Sequence, residues 1–287
     1  IITTHSPHIV ATHPFENIRY MLNIKDEEKY NNIEIKNFHE DLSKIYSNLD
    51  EFKFIQQYLS IESAELFFAD KAIFIEGISE SMLMQYFIAK FDAKNIEQEE
   101  YVSLASQNVT IVQAGANAKA FRHFLEFLKI PTIIITDIDT TKEKQTKKGI
   151  RYEACSVEDA DACNTSNETI KYYLDAPDIN DPNFKQWYDD MINHKQSCNS
   201  EYVNLVYQVE ENTYHARSFE DAFINVNLSK IKDNKDYIFG LKNKEDLEEE
   251  HTLYELTQNI IAKKSDFSSS LLYIAHTRDI EWETPSY

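Results

Sequence analysis

The chain has 287 residues, 42% hydrophobic and 27% charged, which is enough apolar material for one large domain or two small ones. Its 49 acidic residues outnumber its 29 Lys and Arg, giving a formal net charge of −20, which argues against tight nucleic-acid binding by a basic surface alone. No apolar run approaches the ~18 residues of a membrane span. The three cysteines (Cys155, Cys163, Cys198) lack the spacing of a zinc site or a disulfide framework. With no signal-peptide pattern either, a cytoplasmic protein without membrane contact is expected. The four glycines form neither G-x-x-x-x-G-K-[ST] nor G-x-G-x-x-G, so no nucleotide phosphate cradle is expected.

In chain order, Ile1-Ile2-Thr3-Thr4-His5-Ser6-Pro7-His8 reads as a strand entering a loop, without an initiator Met, as in the middle of a longer protein. Residues 18–24 and 33–38 alternate as strands about a turn at Asn31-Asn32. Leu42, Ile45, Leu49, Phe52, Ile55 and Leu59 recur at helical spacing, predicting one or two amphipathic helices over 42–68. A strand–helix rhythm follows: strands at 71–75, 109–112, 132–135 and 203–209, helices at 79–91 and 118–128. This predicts an α/β fold with a parallel sheet flanked by helices. The stretch between the third and fourth strands carries Pro177 and Pro182 and reads as an insertion at about 155–202, with a helix near 183–194. Residues 230–250 read as solvated loop and helix, and 252–264 as a last helix.

Two acidic motifs stand at strand ends, where open α/β sheets place their sites. The first is Glu76-Gly77-Ile78-Ser79-Glu80. Gly77 suits a tight strand-to-helix turn, Ser79 could cap the helix, and Glu80 could simply complement the helix dipole. The second is Asp137-Ile138-Asp139, whose alternate residues aim two carboxylates the same way. Close carboxylates repel unless a positive charge lies between them, and a hard cation such as Mg²⁺ supplies one. A basic run follows directly: Lys142, Lys144, Lys147, Lys148 and Arg151. Its plain reading is a solvated loop.

A Glu-Gly-x-x-Glu turn followed by Asp-x-Asp on a later strand resembles the Toprim domain of topoisomerases, primases and OLD (overcoming lysogenisation defect) nucleases, over roughly Lys71 to Val209. Three further segments resemble the OLD family. Residues 1–7 look like the strand and switch-histidine loop that end an ABC-type ATPase. Arg217-Ser218-Phe219-Glu220 looks like the R-[ST]-x-E segment after the last Toprim strand. Lys263-Lys264-Ser265-Asp266-Phe267 looks like the late segment that supplies an active-site lysine. The resemblance implies residues 1–38 as an ATPase tail, 39–70 as a helical linker and 71–287 as a Toprim nuclease domain. It places the chain near Gabija-type and retron-associated defence nucleases, with a homo-oligomer and a defence partner expected.

The implied chemistry is cleavage of DNA with two divalent ions, Mg²⁺ or Mn²⁺. Glu76 and Asp137 would hold the central ion, with Glu80 and Asp139 on the second. Glu220 is a further ligand, Asp221 its fallback and Glu158 an extra possibility. Lys264 would stabilise charge on the phosphate, the basic run would contact DNA, and His5 would sense ATP bound by the missing ATPase segments. One rival is a haloacid-dehalogenase-like phosphatase, because Asp137-Ile138-Asp139-Thr140-Thr141 fits D-x-D-x-T with Asp137 as nucleophile. The other is a Toprim scaffold without catalysis. An ordinary exposed lysine at a helix C-terminus is the plain alternative for Lys264.

Overall fold

A computed structural model describes residues 1–25, 31–61 and 63–287. The strand expected at the start is corrected: residues 1–6 carry no strand, and a short helix, Pro7–Ala11, follows them. The first strands are an antiparallel pair, β1 (Arg19–Lys25) and β2 (Asn31–Asn37). Asn31 and Asn32 pair with Lys25 and Ile24 as part of the ladder, which corrects the turn expected there; the linking residues 26–30 lie outside the described residues. The helical stretch over 42–68 divides into Ser43–Ile45, α1 (Leu49–Ile61) and a 3-10 turn at Ala64–Phe68.

The central sheet is built from β3 (Lys71–Ile75), β4 (Val109–Gln113), β5 (Thr132–Ile135) and β9 (Val203–Val206), in the order β4-β3-β5-β9 and parallel throughout. This is the expected α/β architecture. Alternation sends side chains to two faces. Ile73 and Ile75 meet Met84 and Ile88 of α2 (Ile78–Asn95), together with Ile111 and Ile135. Ala72, Phe74, Val112 and Ile134 face the other way, onto α3 (Arg122–Leu128), α1 and the aromatic residues Phe38, Phe67 and Phe121. Burying a side chain such as Phe74, which is 0% exposed, is worth roughly 1.5–3 kcal/mol. With both faces covered, backbone at the carboxyl ends of the strands is left to form a site.

Between β5 and β9 lies an antiparallel sheet of β6 (Thr140–Thr146), β7 (Gly149–Ala154) and β8 (Ala162–Thr165), then α4 (Glu168–Tyr173) and α5 (Phe184–Ile192). After β9 a small hairpin of β10 (Glu210–Glu211) and β11 (Tyr214–His215) leads into α6 (Phe219–Asn234). The stretch expected to be solvated over 230–250 is instead anchored by Ile231, Ile238 and Leu247, each at most 1% exposed. The expected last helix over 252–264 is also corrected: α7 (Leu253–Ile260) ends early, and a separate helix, α8 (Lys264–Thr277), starts at Lys264. A second core of α2, α6, α7 and α8 closes on the fully buried Trp282.

Candidate metal centre

The strand β3 delivers Glu76 to the sheet edge. Gly77 then takes an extended backbone (φ −105°, ψ 170°) that any residue could adopt, so the turn itself does not require glycine. Only the Glu80 side chain limits the space: a Cβ on Gly77 would overlap Glu80 Oε2 and sit 3.2 Å from its Cδ, so a larger residue would have to displace that carboxylate. Glu80 therefore folds back over the start of α2, where it is 3% exposed, and is not a solvated dipole partner. Ser79 lies inside the helix and does not cap it. Its buried hydroxyl donates to Glu220 Oε1 at 2.6 Å.

The strand β5 delivers the second motif. Asp137, Ile138 and Asp139 lie in the link between β5 and β6, and Ile138 is fully buried. Asp139 has φ +51°, a left-handed conformation that Asp tolerates better than most residues. The two carboxylates therefore do not follow simple strand alternation, yet both line the same cleft with Glu76. Asp137 Oδ1 accepts from Gln208 Nε2 at 2.6 Å and from the Phe219 backbone N–H at 2.8 Å. Asp139 Oδ1 pairs with an Arg217 guanidinium nitrogen at 2.9 Å. Glu76 Oε2 accepts from the Thr136 hydroxyl, from Asn167 Nδ2 at 3.1 Å and from the Asp137 N–H at 3.3 Å.

The carboxyl-terminal helices supply the rest. Ser218 caps α6, which puts Glu220 and Asp221 in its first turn. Glu220 turns to the cleft, where its Oε2 lies 2.7 Å from Lys264 Nζ. Asp221 turns away and is saturated by Tyr214, Thr257 and the Arg217 N–H, so it is a structural acid and not the fallback ligand. Lys264 opens α8, at the positive end of the helix dipole, where a cation gains nothing from the dipole. The expectation of an ordinary C-terminal lysine is thereby corrected. Lys263 pairs with Asp266 at 2.9 Å and faces elsewhere.

Glu76, Asp137, Asp139, Glu220, Lys264 and Arg217 line one cleft of ≈510 Å³. Burial and the neighbouring acids push the Glu80 carboxyl up to about 7. Burial, then repulsion from Glu80, Glu220, Asp139 and Glu76, pushes Asp137 well above the usual carboxylate range. Burial also raises Asp139, with the Arg217 guanidinium opposing. Burial works against the charge of Lys264, but Glu220, Asp137 and Glu80 outweigh it and raise that ammonium. Five carboxyl groups against two basic side chains form an all-oxygen donor set, which fits a hard divalent cation.

The other expected residues lie elsewhere. The basic run is a β-hairpin and not a loop: Lys144 stands opposite Arg151 across β6 and β7. Lys142 is paired with Asp159 at 2.7 Å and Lys144 with Glu153. Lys147, Lys148 and Arg151 are exposed. Glu158 is exposed and outside the cleft lining, and His5 is an exposed residue whose ring lies 6.4 Å from Phe68. Sequence reasoning missed Asn167 and Gln208, for which no motif existed, and gave no role to Arg217, which lay inside a quoted motif.

Parallel strands flanked by helices, with Glu-Gly-x-x-Glu and Asp-x-Asp converging at their carboxyl ends, define a Toprim-like domain. Residues 67–139 match the family model described as "Overcoming lysogenization defect protein-like, TOPRIM domain". It is 30% identical over 301 residues to Endonuclease GajA of Bacillus cereus (strain HuB5-5), covering 98% of this chain and 40% of that protein. The chain thus spans less than half the length of that relative. Among solved structures, the C-terminal region of the Burkholderia pseudomallei OLD protein matches with 16% identity and a TM-score of 0.38, over 72% of this chain and 89% of that one. The C-terminal region of the Xanthomonas campestris pv. campestris OLD protein matches with 15% identity and a TM-score of 0.38, over 72% and 84%. Among the described residues no helix is long and apolar enough to cross a membrane.

Proposed function

We propose that the cleft hydrolyses phosphodiester bonds of DNA with two divalent cations, Mg²⁺ or Mn²⁺, and that the chain is the endonuclease part of an OLD-type ATPase–nuclease. The observation that carries this reading is the convergence of Glu76, Asp137, Asp139 and Glu220 on one cleft beside Lys264, with the buried carboxyl of Glu80 behind it, near enough for Glu220 and Glu76 to repel its charge. Glu76 and Asp137 would hold one cation, with Glu80, Asp139 and Glu220 holding the second or its waters. When bound, such cations offset charge on the phosphate oxygens and lower the pKa of an attacking water. Lys264, tethered to Glu220, places an ammonium where negative charge grows as the water oxygen bonds to phosphorus and the ester P–O bond breaks. Arg217 keeps Asp139 in its left-handed geometry by pairing with the carboxylate and with the Thr140 carbonyl. Lys142, Lys144, Lys147, Lys148 and Arg151 would lie along the DNA backbone. The phosphatase reading of D-x-D-x-T leaves Glu76, Glu220 and Lys264 in the same cleft, and the buried Glu80, without a task.

Residues 1–38 read as the tail of an ATPase segment, with His5 sensing nucleotide bound outside this chain. A cytoplasmic homo-oligomer acting in anti-phage defence, with a partner protein or retron, is the corresponding cellular reading. The direct assay is incubation with plasmid DNA and Mg²⁺ or Mn²⁺, with and without EDTA. Cleavage that EDTA abolishes supports the reading. Phosphate-ester turnover through a trapped aspartyl adduct on Asp137, without DNA cleavage, would replace it.

A further inference from the structure

The donors around the two central carboxylates are distributed unevenly. All three groups that reach Glu76 (the Thr136 hydroxyl, Asn167 Nδ2 and the Asp137 N–H) bind its Oε2. Both groups that reach Asp137 (Gln208 Nε2 and the Phe219 N–H) bind its Oδ1. Among the described residues nothing donates to Glu76 Oε1 or to Asp137 Oδ2, although both side chains line the cleft. Each carboxylate thus has one oxygen taken by the protein and one left over.

Two buried amides impose this pattern. Asn167 is 6% exposed and Gln208 is 0% exposed. Each is itself fixed by its carbonyl oxygen: Asn167 Oδ1 accepts from the N–H groups of Thr169 and Ile170, capping α4, and Gln208 Oε1 accepts from the Ile138 N–H at 2.9 Å. These contacts assign which amide atom is the donor, because a flipped amide would set oxygen against carboxylate. Asn167 Nδ2 also reaches the Thr136 hydroxyl at 2.6 Å and the Asp137 carbonyl at 2.8 Å, so it ties the two acidic motifs together.

We infer that Asn167 and Gln208 are positioning residues, which lock Glu76 and Asp137 so that each offers a cation one oxygen, Oε1 and Oδ2 respectively. The inference rests on the metal-centre reading and extends it to side chains that touch neither cation nor substrate. Groups that orient metal ligands in this way typically change metal affinity 10–100-fold when removed.

The test is calorimetric titration of Mn²⁺ into the full chain, with melting of the cation-free protein measured alongside. Asn167→Asp keeps the capping oxygen and loses the donor. Gln208→Glu likewise keeps the acceptor for Ile138, and Gln208→Met removes both groups without adding charge. Asn227→Asp is the control: this amide is also buried and also bonded at both ends, donating to the Phe223 and Glu283 carbonyls and accepting from the Glu283 N–H, outside the cleft. The expected result is Mn²⁺ affinity lowered 10–100-fold in Asn167→Asp and Gln208→Met, and unchanged in Asn227→Asp, with all of them folded. Should Gln208→Met not fold, Asn167→Asp and Gln208→Glu carry the comparison. Wild-type affinity in the folded variants, or an equal loss in Asn227→Asp, would overturn the inference while leaving the metal centre standing. Absence of Mn²⁺ binding in the wild type would instead remove the metal-centre reading and this inference with it.

Discussion

At the scale of single residues, the cleft trades stability for charge. Glu80 titrates near 7 in the fold against 4.5 ordinarily, so the folded state holds the extra proton between those values. Stability from this group is complete below about 4.5 and is lost as pH rises through about 7. Melting of the cation-free protein should therefore fall from pH 5 to pH 8, and Glu80→Gln should flatten that slope, raise the melting point at pH 8 and weaken Mn²⁺ binding. A slope unchanged by the substitution would show that Glu80 is not the buried acid responsible. Lys264 makes the complementary case. Removing an electrostatic stabiliser of this kind costs roughly 10²–10³ in rate. In plasmid-cleavage kinetics Lys264→Ala should lose that much while calorimetry still detects cation binding, and Lys263→Ala, whose ammonium pairs with Asp266, should cleave normally. Equal losses in both variants would contradict the assignment.

At the scale of elements, two glycines hold the site together for different reasons. Gly77 leaves room for Glu80, so Gly77→Ala should fold yet displace that carboxylate and weaken Mn²⁺ affinity in calorimetry; unchanged affinity would mean the carboxylate has other room. Gly240 has φ +80° and a Cβ there would lie 2.5 Å from the Lys263 carbonyl oxygen and the Phe267 nitrogen. Its own carbonyl accepts from the N–H groups of Ala262 and Lys263, which sets where α8 begins and hence where Lys264 points. The basic hairpin divides in a similar way. Lys142 and Lys144 are held by acids within the same small sheet or beside it, whereas Lys147 and Lys148 at the turn are exposed. Each phosphate contact contributes about 0.9 to the slope of log affinity against log salt. Replacing Lys147 and Lys148 together should lower that slope by up to about 2 in fluorescence titration with duplex DNA, and replacing Lys142 and Lys144 should lower it less. The reverse order would place the DNA on the hairpin's inner strand.

At the scale of the whole molecule, the sheet was legible because its four strands are short apolar runs separated by helical spacing, and the acids were legible because they sit where those runs stop. The helix starting at Lys264 was not, since the pattern over 252–264 reads through the break that Gly240 enforces from a distance. The Asn31-Asn32 turn failed because pairing across β1 and β2 outweighs the local preference of that dipeptide. Asn167 and Gln208 were invisible because a lone amide carries no signal until the fold sets it beside a carboxylate. What unites these parts is the claim that the cleft was built around cations. Mn²⁺-soaked crystals, measured for anomalous scattering, address it directly. The account predicts two peaks ~4 Å apart, one between Glu76 and Asp137 and one toward Asp139, Glu80 and Glu220. A cleft without peaks, or Mn²⁺ bound only at the surface group of Asp246, Glu249 and His251, would contradict it.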